Sequence, residues 1–86
     1  MSYTILLGRQ AEKELRSLPP KMLRRIDKRL LALSDEPWSR GAVKLKGKES
    51  EGWRIKTGDY RILYTVDKTQ KVIKVYRIKH RREAYR

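Results

Sequence analysis

The hydrophobic period of this chain changes once, at Asp35-Glu36-Pro37, and that change sets the fold class. Before it, apolar residues recur at helical spacing. Ala11, Leu15 and Leu18 share one face over Arg9–Leu18, and Leu23, Ile26, Leu30 and Leu33 share another as far as Ser34. Pro19-Pro20 separates the two runs, because proline stops the first helix and suits the first turn of the second. After the change, apolar residues alternate with polar ones. Val43 and Leu45 alternate with Lys44 and Lys46, and Trp53 and Ile55 with Arg54 and Lys56. Tyr60, Ile62, Tyr64 and Val66 alternate with Arg61, Leu63 and Thr65. This is the period of half-buried strands. Gly58-Asp59 and Asp67–Gln70 read as turns, and Lys71–Ile78 as a last strand. Tyr3–Leu7, bounded by Gly8, reads as a first strand.

The expected fold is therefore α+β, with an N-terminal strand and a helical hairpin packed on a twisted antiparallel sheet. Residues 1–86 form one domain, with no internal repeat, linker or low-complexity tract. The tail from Lys79 to Arg86 is polar and aromatic, with room for one helical turn.

Charge limits the function. The formal net charge is +13, and residues 37–86 carry +10 of it. A charge this large works against a compact state and points to a polyanionic partner. Nucleic acid comes first, an acidic protein second and an anionic membrane third. The membrane ranks last because the cations lie largely in strands rather than on one amphipathic helix. There is no cysteine, so neither a disulfide framework nor a cysteine metal site is expected. The N-terminal apolar run is too short for a signal peptide and no stretch would span a membrane, which makes the cytoplasm the expected location.

Alternation gathers Arg54, Lys56 and Arg61 on the polar face of two adjacent strands. Three like charges held together are more easily borne where an anion sits among them, although a solvated outer face accounts for them equally well. The tail adds His80, Arg81, Arg82 and Tyr85: cations, one proton-transfer group and a ring that would stack on an unpaired base. Lys44, Lys46, Lys48 and Arg77 are further candidate RNA contacts. His80 is the single histidine, and no metal or cofactor site is expected. There is no phosphate-binding glycine loop and no nucleophile–histidine pair, and Glu49 and Glu51 fall in a loop.

The strings Gly52-Trp53-Arg54-Ile55-Lys56, Gly58-Asp59-Tyr60-Arg61-Ile62-Leu63-Tyr64 and His80-Arg81-Arg82-Glu83-Ala84-Tyr85-Arg86 resemble the RelE family of bacterial and archaeal toxins. The helical hairpin and Lys44-Leu45-Lys46-Gly47 fit the same family, and the resemblance covers nearly the whole chain. It implies a toxin of a type II toxin–antitoxin pair, which enters the A site of the 70S ribosome and cuts mRNA there. It also implies a RelB-like antitoxin that wraps and blocks the toxin in a hetero-oligomer.

Such cleavage needs no metal if the RNA's own 2′-OH attacks the adjacent phosphate. It then needs a base, positive charge on the phosphate oxygens and a proton donor for the departing 5′-oxygen. By resemblance, Lys56 matches the family's candidate base and Arg61 its phosphate-stabilising arginine. Arg54 stands where relatives often carry lysine. It binds phosphate but is a poor base. Arg81 and His80 compete for the place beside the leaving group, and Tyr85 matches the base-stacking tyrosine. ParE-type toxins share the fold, lack the nuclease residues and poison DNA gyrase, so they are the main alternative. A non-catalytic RNA- or ribosome-binding module and an inactive regulatory relative are the others.

Overall fold

A computed structural model describes residues 2–46 and 52–84. The first strand, β1 (Thr4–Leu7), ends at Gly8, which caps α1 (Arg9–Arg16) in an extended conformation. Helix α1 buries Ala11 and packs Leu15 against the core. Its solvent side is closed by an i, i+4 ion pair between Glu12 and Arg16. Ser17 ends α1, and Pro19 caps α2 (Pro20–Asp35) with Pro20 in its first turn. Ile26, Leu30 and Leu33 of α2 are buried along one stripe, as their spacing requires.

Four strands follow: β2 (Val43–Lys44), β3 (Trp53–Thr57), β4 (Tyr60–Asp67) and β5 (Val72–His80), with a short α3 (Arg81–Ala84) at the end. The sheet order is β1-β5-β4-β3-β2. The helical hairpin carries the chain across one face of the sheet from the β1 edge to the β2 edge. The three hairpins that follow bring it back, so the last strand meets the first. β1 and β5 consequently run parallel, and the other pairs are antiparallel as expected. β2 is shorter than its alternation suggests, and β5 runs two residues past Ile78.

The core lies between helices and sheet. Ile55, Ile62 and Ile78 face each other across β3, β4 and β5, all at most 2% exposed. Tyr64, Ile73 and Val75 extend this layer towards the other end. The spacing of Val75 and Ile78 breaks strict alternation. Leu63 pairs with Arg77 but Tyr64 pairs with Val75, so Tyr76 is the extra residue of a β-bulge. The bulge shifts the phase of β5 by one residue. Ile78 thereby points into the core, and Arg77 and Lys79 fall on the outer face.

β1 covers only the first half of the β5 edge. Beyond it, α1 closes the edge with Glu14. The carboxylate accepts the Ile78 N–H at 2.7 Å and takes the Arg77 guanidinium at 3.0 Å from Nε and 2.8 Å from Nη2. A strand edge that would otherwise offer a bare N–H is thus satisfied by a helix side chain.

Candidate functional site

The β3–β4 connection is a two-residue hairpin, Gly58-Asp59, with Gly58 at φ +60°. Glycine suits the first position of such a tight turn. The turn fixes a register in which Lys56 stands directly opposite Arg61, and Arg61 opposite Lys79 of β5. These three cations form one row across three strands, on the face away from the helices. The next row on that face is Arg54, Leu63 and Arg77. Cross-strand neighbours on one face lie about 5 Å apart. That spacing is between Cβ atoms; charged ends held equally close would repel by roughly 1 kcal/mol per pair in a water-like medium.

The C-terminal segment closes over the end of this row. The Arg81 N–H donates to the Asp59 carbonyl at 2.7 Å, and its guanidinium Nη1 lies 3.8 Å from Asp59 Oδ1. Lys56, Gly58, Asp59, Arg61 and Arg81 together line a cavity of about 200 Å³. It is open, cationic and large enough for a phosphate group with its ester oxygens.

His80 faces a neighbouring hollow lined by Asp59, Arg81 and Arg82. Its ring packs edge-on against Tyr60, with centroids 5.0 Å apart at 87°. Its Nδ1 accepts the Arg82 N–H at 3.2 Å, which leaves Nε2 to carry the proton of the neutral ring. Of the two tail candidates for the leaving-group position, Arg81 shares the cavity of Lys56 and Arg61, and His80 stands beside it.

The other expected site residues separate. Arg54 lies on the cationic face, one row away from Lys56. Arg77, a candidate RNA contact by sequence, has its guanidinium engaged by Glu14 at the sheet edge. Lys44 pairs with Trp53, so alternation turns it to the helix side of the sheet. Lys46 is exposed just beyond β2, and Arg82 is exposed beside the His80 hollow. Lys48 and Tyr85 lie outside the described residues. Among the described residues, no three His, Asp or Glu side chains gather as metal ligands would.

Sequence reasoning misses two members of the site. Lys79 joins the row only because the bulge re-phases β5; the clue is the three-residue step from Val75 to Ile78 in an otherwise alternating strand. Asp59 reads as a turn former alone. It also anchors Arg81, and no local pattern signals a contact between residues 22 positions apart.

Comparison with known proteins agrees with this architecture. The family model for the ParE toxin of the type II toxin–antitoxin system parDE matches residues 5–85. Toxin RelG of Mycobacterium tuberculosis is 30% identical over 87 residues, covering 100% of this chain and 99% of that one. The archaeal RelE–RelB complex of Pyrococcus horikoshii superposes with a TM-score of 0.82 at 35% identity, over 94% of this chain and 97% of its counterpart. The RelBE2 toxin–antitoxin complex of M. tuberculosis gives a TM-score of 0.83 at 27% identity, over 93% and 92%. With a family model spanning nearly all its length, the chain belongs to the RelE/ParE superfamily of type II toxin–antitoxin toxins.

Proposed function

We propose that this toxin is a metal-independent endoribonuclease that cuts mRNA in the ribosomal A site. The observation that carries the reading is the direct cross-strand opposition of Lys56 and Arg61, with Arg81 at the same cavity. A scissile phosphate seated there meets cations on several sides. Lys56, as the neutral amine, takes the proton from the 2′-OH. The 2′-oxygen attacks phosphorus, and the bond to the 5′-oxygen breaks, leaving a 2′,3′-cyclic phosphate and a 5′-OH. Arg61 holds the phosphate oxygens as negative charge builds in the transition state, and Lys79, beside it in the same row, adds to the positive field. Arg81 sits where a departing 5′-oxygen would be stabilised. Its guanidinium does so as a fixed cation, because it gives up no proton. His80, in its protonated imidazolium form, is the neighbouring group able to supply that proton through Nε2, returning to the neutral ring. The carboxylate that lines the cavity, Asp59, is turned to Arg81 rather than offered as a base, so the site relies on the ribosome to hold the mRNA in an attacking geometry.

The partners that follow are the 70S ribosome, mRNA and a RelB-like antitoxin. Two of the similar solved structures are themselves toxin–antitoxin complexes with RelB-type proteins. A ribosomal target places the protein in the cytoplasm, and no helix among the described residues is long and apolar enough to cross a membrane. The test is cleavage of a defined mRNA on programmed ribosomes, with 5′ ends mapped. Wild type should cut at A-site codons, and Lys56→Ala should lower the rate by about 10²–10⁴, the range for loss of a general base. Equal rates would sink the assignment of Lys56. The ParE description of the matching family model favours a second reading, gyrase inhibition. Loss of gyrase supercoiling with intact mRNA would establish that reading instead.

A further inference from the structure

Helix α2 carries cations that the cleavage site does not use. Arg25, Lys28 and Arg29 stand at i, i+3 and i+4, so they share one face of the helix. With Ala32 and Thr57 they line a hollow of about 300 Å³. Thr57 ends β3, and Gly58, next in the chain, lines the cavity of Lys56, Arg61 and Arg81. The hairpin tip is thus a narrow ridge between two cationic hollows.

The second hollow is built rather than incidental. Arg29 Nε reaches Thr57 Oγ1 at 3.4 Å, and Thr57 is the buried polar residue of this region, 8% exposed. Arg25 reaches the ridge itself: a Cβ added to Gly58 would lie 3.1 Å from its Nη1. Among the described residues, none of these three cations is held in an ion pair. Along Pro20–Asp35, five cations stand against Asp27 and Asp35.

We propose that this hollow is a second phosphate subsite, which takes a phosphodiester of RNA on the opposite side of the hairpin from the bond to be cut. Guanidinium forks beside a hydroxyl suit phosphate oxygens. A ligand filling both hollows must repeat its anions at short, regular intervals, as a nucleic-acid backbone does. The proposal rests on the RNA reading above. The phosphodiester belongs either to the mRNA being cut or to ribosomal RNA, and the chemistry is the same.

The test uses the full chain with Arg25→Gln and Lys28→Gln together, and Arg25→Glu with Lys28→Glu as a stronger variant. Both residues are exposed, and thermal unfolding checks the fold. Binding is measured over a salt series to a 2′-O-methylated oligonucleotide, to vacant 70S ribosomes and to ribosomes programmed with mRNA 2′-O-methylated at the A-site codon. These ligands resist cutting, so the result is separate from cleavage. The glutamine pair should bind about tenfold more weakly at near-physiological salt. The slope of log K against log salt should fall by about 0.7 for each phosphate that the variant no longer neutralises. The glutamate pair should bind more weakly still. A loss confined to programmed ribosomes and the oligonucleotide assigns the phosphate to mRNA. An equal loss on vacant ribosomes assigns it to ribosomal RNA. Unchanged affinity and slope on all three ligands overturns the subsite, as does a wild type that binds none of them. A wild type that binds with the expected slope but cuts nothing overturns the nuclease and leaves the subsite standing.

Discussion

The two ends of the sheet use the same residue types in opposite ways. At the end bearing the Asp67–Gln70 turn, Tyr3, Trp38 and Trp53 form an edge-to-face series with centroids 6.4 and 6.3 Å apart. Lys68 and Lys71 lie over the rings of Trp38 and Tyr3, and the buried Tyr64 hydroxyl donates to the Pro37 carbonyl at 2.7 Å. At the Gly58-Asp59 end, lysine and arginine face one another across a hollow. In the first place cations are absorbed into packing; in the second they are left crowded. The comparison teaches that the stabilising contacts sit away from the site, which lets the site carry charge that works against the fold.

This division is open to breakage. The largest stability loss should come from Gly52→Ala at the packed end. Gly52 has φ +82°, and an added Cβ would lie 2.2 Å from the Tyr64 carbonyl oxygen, a backbone atom that cannot yield. We expect a loss of roughly 2–4 kcal/mol in urea unfolding. A change below half of that would mean the packed end is softer than its contacts imply. Glu14→Ala should cost about 1–3 kcal/mol, since it strips the Ile78 N–H and Arg77 of their acceptor. Hydrogen exchange at Ile78 would register the loss locally, and unaltered protection would show that another group covers that edge.

Tyr64 gives a pH signature. Burial pushes its hydroxyl up to about 12, against about 10 in an unfolded chain. The raised value means that the stability it lends is complete below pH 10 and is lost as pH rises towards 12. Two units correspond to about 2.7 kcal/mol at most. Tyr64→Phe should cost about 1 kcal/mol at neutral pH by leaving the Pro37 carbonyl without its donor. It should also unfold with a shallower decline than wild type between pH 10 and 12. Parallel declines would remove Tyr64 from the account. The smallest effect belongs to the charged end. Lys56→Ala should leave the melting temperature unchanged or slightly higher, because it relieves repulsion. A clear drop would make Lys56 part of the packing and blur the contrast.

Most of the architecture is legible in the sequence because it rests on local period. Ile26, Leu30 and Leu33 at helical spacing, and Trp53, Ile55, Ile62 and Tyr64 in alternation, are buried or half-buried where the pattern puts them. Lys56 opposite Arg61 is legible too, since a two-residue Gly58-Asp59 turn fixes the register between adjacent strands. What is not legible depends on residues distant in sequence. The parallel β1–β5 pairing needs the whole path of the chain. Glu14 meets Arg77 only because α1 covers the edge that β1 leaves bare. Arg25 comes close to the hairpin where Gly58 has no side chain. Each of these is a long-range geometric fact with no local periodic trace.

The bulge at Tyr76 has a consequence for parity. It works like a reading-frame shift in the facing of side chains: every residue after it answers to the opposite face. Straighten the bulge while keeping every residue, and Arg77 and Lys79 would exchange places with Ile78, driving two charges inward and an isoleucine out to solvent. A toxin of this fold that lacks the bulge must therefore write its last strand in the opposite phase to bring a cation beside the partner of Lys56. Whether Val75 and Ile78 are separated by two residues or by one is then a marker, readable in any related sequence, of whether the final strand carries the bulge.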